Sequence, residues 1–153
     1  MKIVSENNKT ISENRKVKYE YHIIEEFIAG IQLVGPEVKS IRNTKVSIKE
    51  SYCQFTKNEL FIKNMHISEY KEGTYNNVES LRDRKLLLTK RELSKLTNEI
   101  KIGGLTIVPL SLFINKKGLV KIKIALVKGK KLYDKRISLL EKDLLKSVKN
   151  LNL

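Results

Sequence analysis

Residues 105–128 read LTIVPLSLFINKKGLVKIKIALVK, two apolar runs, Leu105 to Ile114 and Leu119 to Lys128, around the polar tip Asn115-Lys116-Lys117-Gly118. Runs this rich in β-branched residues, split by a short turn-forming segment, predict an antiparallel hairpin. The second run alternates: Val120, Ile122, Ile124 and Leu126 fall on one side and Lys121 and Lys123 on the other. One face is therefore core and the opposite face carries cations.

Just upstream, Gly103-Gly104 ends a helix that Thr89-Lys90-Arg91-Glu92 begins as a capping box, with Leu93, Leu96 and Ile100 along one face. Lys85 to Leu88 precedes it as a short apolar run. Glu50 to Phe55 and Leu60 to Ile67 flank Thr56-Lys57-Asn58-Glu59, a second hairpin with a four-residue tip, and Asn64 to Asn77 reads as a loop. Gly35-Pro36 opens a short helix to Arg42, with Glu37 at the positive end of its dipole. Tyr19 to Val34 reads as one long strand, bent or bulged at Gly30. Strands joined by hairpins, with short helices between, predict a mainly β fold: a small closed antiparallel barrel of the oligonucleotide-binding kind, with flanking helices and a flexible basic C-terminal tail. The expected division is a flexible N-terminal arm over residues 1–13, the barrel domain over 14–132 and the tail over 133–153. In that tail Ile137, Leu140, Leu144, Val148 and Leu151 recur at helical steps, which makes an amphipathic helix that is marginal alone in water.

The chain of 153 residues carries 31 Lys and Arg against 17 Asp and Glu, a formal charge of +14 that favours polyanionic partners, nucleic acid first. Residues 116–153 hold 12 basic and 3 acidic side chains, leaving 19 and 14 before them, so the excess is stacked at one end. Lysine drift together with Asn and Ile would raise the total but not the asymmetry. No apolar stretch approaches the roughly 18 residues a membrane span needs, and no leader pattern opens the chain. A cytoplasmic protein without a membrane partner is expected. Cys53, the lone cysteine, can form no disulfide within the chain and reads as a small buried residue; His22 and His66 have no metal-ligand spacing. Glu25 and Glu26 are neighbours on a strand and point to opposite faces, so they make no catalytic pair. No nucleophile, base and orienting group form a credible set, and neither an enzyme nor a cofactor is expected.

Several segments, in order, resemble one family. Asn14-Arg15-Lys16 leads into the strand ending Phe27-Ile28-Ala29-Gly30, and residues 35–42 (GPEVKSIR) resemble G-x-E-V-K-S-[LI]-R, with Ser51-Tyr52 beyond. Residues 84–92 (RKLLLTKRE) resemble R-K-L-L-L-x-[KQ]-R-E, and 104–110 (GLTIVPL) and 125–136 (ALVKGKKLYDKR) complete the set. Over residues 14 to 136 the chain resembles the SsrA-binding (SmpB) family. The resemblance implies a barrel with flanking helices that binds the tRNA-like end of transfer-messenger RNA (SsrA RNA), in place of a missing anticodon arm. It further implies a tail that enters the vacant messenger channel of the small ribosomal subunit, near the decoding region. The protein would be a monomeric, non-enzymatic adaptor in trans-translation, meeting elongation factor Tu only through the aminoacylated RNA.

On that resemblance Asn14, Arg15 and Lys16 contact the RNA elbow, and Lys85 and Leu87 belong to the same surface, although a leucine is by type most often core. Lys128, Lys130 and Lys131 are expected to neutralise phosphates, each adding about 0.7 to 0.9 to the salt slope of binding. Tyr133, Asp134, Lys135 and Arg136 are the ribosome-binding group: the ring stacks on a base, the cations meet phosphate, and Asp134 orients a cation or caps the tail helix. Ile28 and Thr89 depart from the family, which often has Glu and His or Asn there, so those RNA roles are not carried over. Tyr133 replaces a common His but keeps a stacking ring. A generic RNA-binding or ribosome-associated structural protein of the same fold is the competing reading, separable by its lack of preference for folded tRNA-like RNA.

Overall fold

A computed structural model describes residues 8–69 and 79–129, and in them the chain is mainly β with short helices. In chain order the elements are β1 (Lys9–Glu13), α1 (Lys16–Glu20), β2 (Tyr21–Ile31), α2 (Gly35–Arg42), β3 (Val46–Ser47), β4 (Tyr52–Thr56), β5 (Glu59–Lys63), β6 (His66–Ile67), β7 (Arg84–Leu87), α3 (Lys90–Ile102), β8 (Thr106–Ile114) and β9 (Val120–Gly129). Seven strands pair in the order β1-β8-β4-β5-β7-β2-β9, and β8 pairs with β9 as well; β3 and β6 form a small separate sheet.

The β8–β9 hairpin follows from its pattern. Ile122, Ile124 and Leu126 are fully buried, as is Leu112 across from Ile122. At the tip Asn115 Oδ1 accepts the amides of Lys117 (3.0 Å) and Leu119 (2.9 Å), and Gly118 takes a φ of 81°, which its missing Cβ allows. The alternation breaks further along. Ala125 and Val127 on the other face of β9 are buried too, beneath Val17 of α1 and beside Val108. That face carries cations only at Lys121 and Lys123.

Four expectations are corrected. Residues 9–13 are not a loose arm: β1 pairs with β8, with a bulge at Ile11, whose side chain packs against the core. One apolar residue in KTISE gives no period to read, since the backbone ladder holds the strand. The long strand starts at Tyr21, not Tyr19, because Lys16–Glu20 forms the short helix that roofs β9. Its bulge falls at Ile24, between Ile23 and Glu25, rather than at Gly30. The β4–β5 tip is two residues, not four: Thr56 pairs with Glu59, and Lys57 and Asn58 take φ of 50° and 67°, the left-handed geometry a tight hairpin twist requires.

The helices behave as their caps dictate. The Glu92 amide donates to Thr89 Oγ1 and the Thr89 amide to Glu92 Oε1, both at 3.2 Å, and Leu96 is fully buried with Leu93 and Ile100 beside it. In α2, Glu37 accepts the Val34 amide at 3.0 Å. Its carboxylate does more than meet the dipole. It is 4% exposed and grips Arg84 Nε at 2.5 Å and Arg82 Nη2 at 2.6 Å. Arg84 is fully buried and donates also to the carbonyls of Met65, Arg82 and Ser80. Burial pushes the Glu37 carboxyl up, but the donors from Arg82, the Val34 amide and Arg84 together outweigh it and hold the group below the usual carboxylate range.

Candidate nucleic-acid interface

Strand β7 turns Arg84 and Leu86 inward, so Lys85 and Leu87 face out. Leu87, a residue type expected in the core, is 50% exposed. Register pairs carry this face across the sheet. Lys85 lies opposite Phe61 of β5, Leu87 opposite Gly30 of β2, and Gly30 opposite Lys121 of β9. A Cβ built on Gly30 would stand 3.3 Å from Leu87 Cβ and 3.7 Å from Lys121 Nζ, so the leucine and the ammonium group meet over the bare glycine backbone. Gly30 therefore serves close approach, not a bulge.

Two residues along β2, Ile28 lies opposite Lys123, which in turn lies opposite Ser111 of β8. Lys123 and Ser111 line a groove of about 690 Å³ with Asn14, Arg15, Tyr19 and Glu26. The face holding Lys85 and Leu87 thus continues to Asn14 and Arg15 through residues that the sequence alone did not connect, whereas Lys16 does not line this groove. Lys121 and Lys123 were legible as outward cations; Phe61 and Tyr19 were not singled out. Tyr19 is 81% exposed, an aromatic ring in water beside Arg15.

The chemistry along this band is apolar and cationic in alternation, which suits a folded nucleic acid that offers phosphates and base or sugar edges. Some of the cations carry acidic partners. Lys85 Nζ is 2.6 Å from Glu59 and Lys123 Nζ 3.1 Å from Glu26, while among the described residues no ion pair is found at Lys121. Arg15 is exposed with Glu13 at 3.5 Å, and Lys16 is exposed at the start of α1. Asn14 is different in kind. It is buried, its amide donates to Leu110 O at 2.8 Å and its side chain to Lys49 O at 3.5 Å, so it shapes the turn that presents Arg15 and Lys16. Thr89, where the family often has His or Asn, has its hydroxyl committed to Glu92. Ile28 leaves the band without a carboxylate at that point.

Lys128 is exposed near the end of β9, opposite His22. Lys130, Lys131, Tyr133, Asp134, Lys135 and Arg136, and with them the expected tail helix, lie outside the described residues. Among the described residues no group of three or more His, Cys, Asp or Glu is placed to hold a metal ion, and no helix is long and apolar enough to cross a membrane. Cys53 is buried, and burial pushes its thiol far up, out of the range of a reactive thiolate.

A family model described as "SmpB protein" matches residues 11–152. A protein of Clostridium kluyveri called "SsrA-binding protein" is 55% identical over 136 residues, 89% of this chain and 86% of that one. Proteins of the same description from Phocaeicola vulgatus and Wolbachia pipientis are 54% and 51% identical, covering 86% and 87% of this chain and 87% and 89% of theirs. Among solved structures, one described as "tmRNA-SmpB: a journey to the center of the bacterial ribosome" superposes with a TM-score of 0.63 at 43% identity, over 77% of this chain and 82% of that one.

Proposed function

The chain belongs to the SmpB protein family, and from that premise we propose that it is a non-enzymatic adaptor that binds the tRNA-like domain of transfer-messenger RNA and helps deliver it to stalled ribosomes for trans-translation. The observation that carries this reading is the continuous outward band Phe61, Lys85, Leu87, Gly30, Lys121 and Lys123, which runs on to Arg15. A band this long fits a folded RNA surface better than a single nucleotide. Its cations supply affinity that falls with salt, and Leu87 and the aromatic rings supply contacts that do not.

The scaffold for that face is a small closed barrel of the oligonucleotide-binding kind. The pairings β8-β4-β5-β7-β2-β9 and back to β8 support closure. Closure leaves β1 as an added strand outside the ring, so the RNA-binding body begins near Lys9 and runs to residue 132. Lys128, Lys130 and Lys131 extend the phosphate contacts at its edge. Residues 133–153, led by Tyr133, Asp134, Lys135 and Arg136, probe the vacant messenger channel near the decoding region and take up a helix there. The protein works as a monomer in the cytoplasm, without cofactor, and meets elongation factor Tu only through the aminoacylated RNA.

Competition binding tests the reading. Purified protein at fixed salt is titrated with the tRNA-like domain and with unstructured RNA of equal length. The adaptor prefers the folded RNA; equal affinity for both marks a generic single-strand binder and sinks the proposal.

A further inference from the structure

We propose that Arg84, gripped by Glu37, is a positioning residue that locks β7 in register and so fixes Leu87 over Gly30. The lock concerns the fold alone; its consequence for RNA rests on the adaptor reading above.

The need for a lock follows from the sequence of β7. It has two paired positions with β5 (Phe61 with Lys85, Ile62 with Arg84) and two with β2 (Gly30 with Leu87, Ile31 with Leu86). Its one apolar residue in the core is Leu86, and Leu86-Leu87-Leu88 is a run of identical side chains. A slip of one residue would push Lys85 into the fully buried place of Arg84, where an ammonium group lacks the planar fork of donors that meets Glu37 and three carbonyls there. A slip of two keeps every side chain on its own face, with Leu86 in the place of Arg84 and Leu88 in the place of Leu86. Hydrophobicity does not reject that alternative. It would carry Leu87 about 7 Å along the strand, two residues at about 3.4 Å each, and set Thr89 opposite Gly30.

Arg84 rejects it. Only in the observed register do its donors reach Glu37 Oε2 on α2 and the Met65 carbonyl beyond β5, whereas the Arg82 and Ser80 carbonyls it also meets lie just upstream on its own segment. Slipping would strip a buried carboxylate of one of its two guanidinium partners and replace those hydrogen bonds with leucine carbons. Fixing register is the best-attested use of a buried ionic group. Thr89 holds the other end through its helix cap, a weaker restraint because that cap is solvent-exposed.

The experiment compares full-length wild type, an Arg84→Gln, Glu37→Gln protein and the same protein with Leu88→Ser added. In RNA-free protein, backbone nuclear Overhauser contacts between Gly30 and Leu87 report the register directly. The doubly substituted protein should show a second set placing Gly30 against Thr89. Its affinity for the tRNA-like domain should fall about tenfold, the scale of one lost contact, with binding to unstructured RNA unchanged. Adding Leu88→Ser removes the leucine that fills the slipped core position and should restore both the single register and the RNA preference. A merely structural pair makes the opposite forecast, since trimming Leu88 then only adds damage. A single native set of contacts in the doubly substituted protein, or further loss with Leu88→Ser, overturns the lock. Should that protein not fold, Glu37→Gln alone is read in the same way: a slipped population supports the lock and its absence overturns it. Wild type that binds both RNAs equally would overturn the adaptor reading while leaving the register result standing.

Discussion

The β8–β9 hairpin and strand β7 sit in one sheet and reach their register by different physics. In the hairpin, apolar residues alternate with lysines over the first half of β9, and a turn from Asn115 to Gly118 closes the strands, so a one-residue slip would drive lysines into the core. In β7 the pairing is short and the leucines are interchangeable, so a buried arginine and glutamate supply the specificity that hydrophobic pattern lacks. Where apolar pattern is long, it specifies; where it is short and degenerate, a costly polar contact does.

The sharpest break in that comparison is Arg84→Ala. It leaves the Glu37 carboxylate buried with Arg82 as its remaining partner, and urea denaturation should show a loss of about 3 to 5 kcal/mol. Ile124→Ala, in the hairpin, should cost about 3 kcal/mol by cavity formation, yet leave the native cross-strand contacts of β8 and β9 in place by NMR. Acid separates the regions further. The folded-state carboxyl of Glu37 lies below the ordinary 4.5, so its contribution is present above that value and is lost as pH falls through the folded value. The stability gap between wild type and Glu37→Gln should therefore narrow as pH falls below 4.5, whereas the gap caused by Ile124→Ala should not track this ionisation. The smallest effect is Thr89→Ala, about 1 kcal/mol from the lost cap of α3 in the same urea assay.

Much of this was written in local pattern. The two hairpins, the capping box at Thr89 and Glu92, and the helix opening at Gly35-Pro36 each rest on turn or cap chemistry within a few residues, and each appears near its expected place. What was missed depends on distant partners. β1 has one apolar residue and exists because β8 offers an edge. α1 is five residues long and shares its Tyr and Val with strand composition. Arg84 looks like a surface charge in RDRKLLL until α2 brings Glu37 to it across 47 residues. Within the candidate interface, Lys85 and Leu87 were legible by resemblance and the outward lysines of β9 by alternation. Their meeting over Gly30 needed the register of three strands.

A footprint on intact transfer-messenger RNA bears most directly on whether this face grips a folded RNA. Wild type should protect the elbow of the tRNA-like domain from nuclease or hydroxyl-radical cleavage, and Lys121→Ala should thin that protection without moving it. Protection confined to single-stranded stretches, or spread evenly along the molecule, would contradict the assignment of the Leu87–Lys121 band to that RNA.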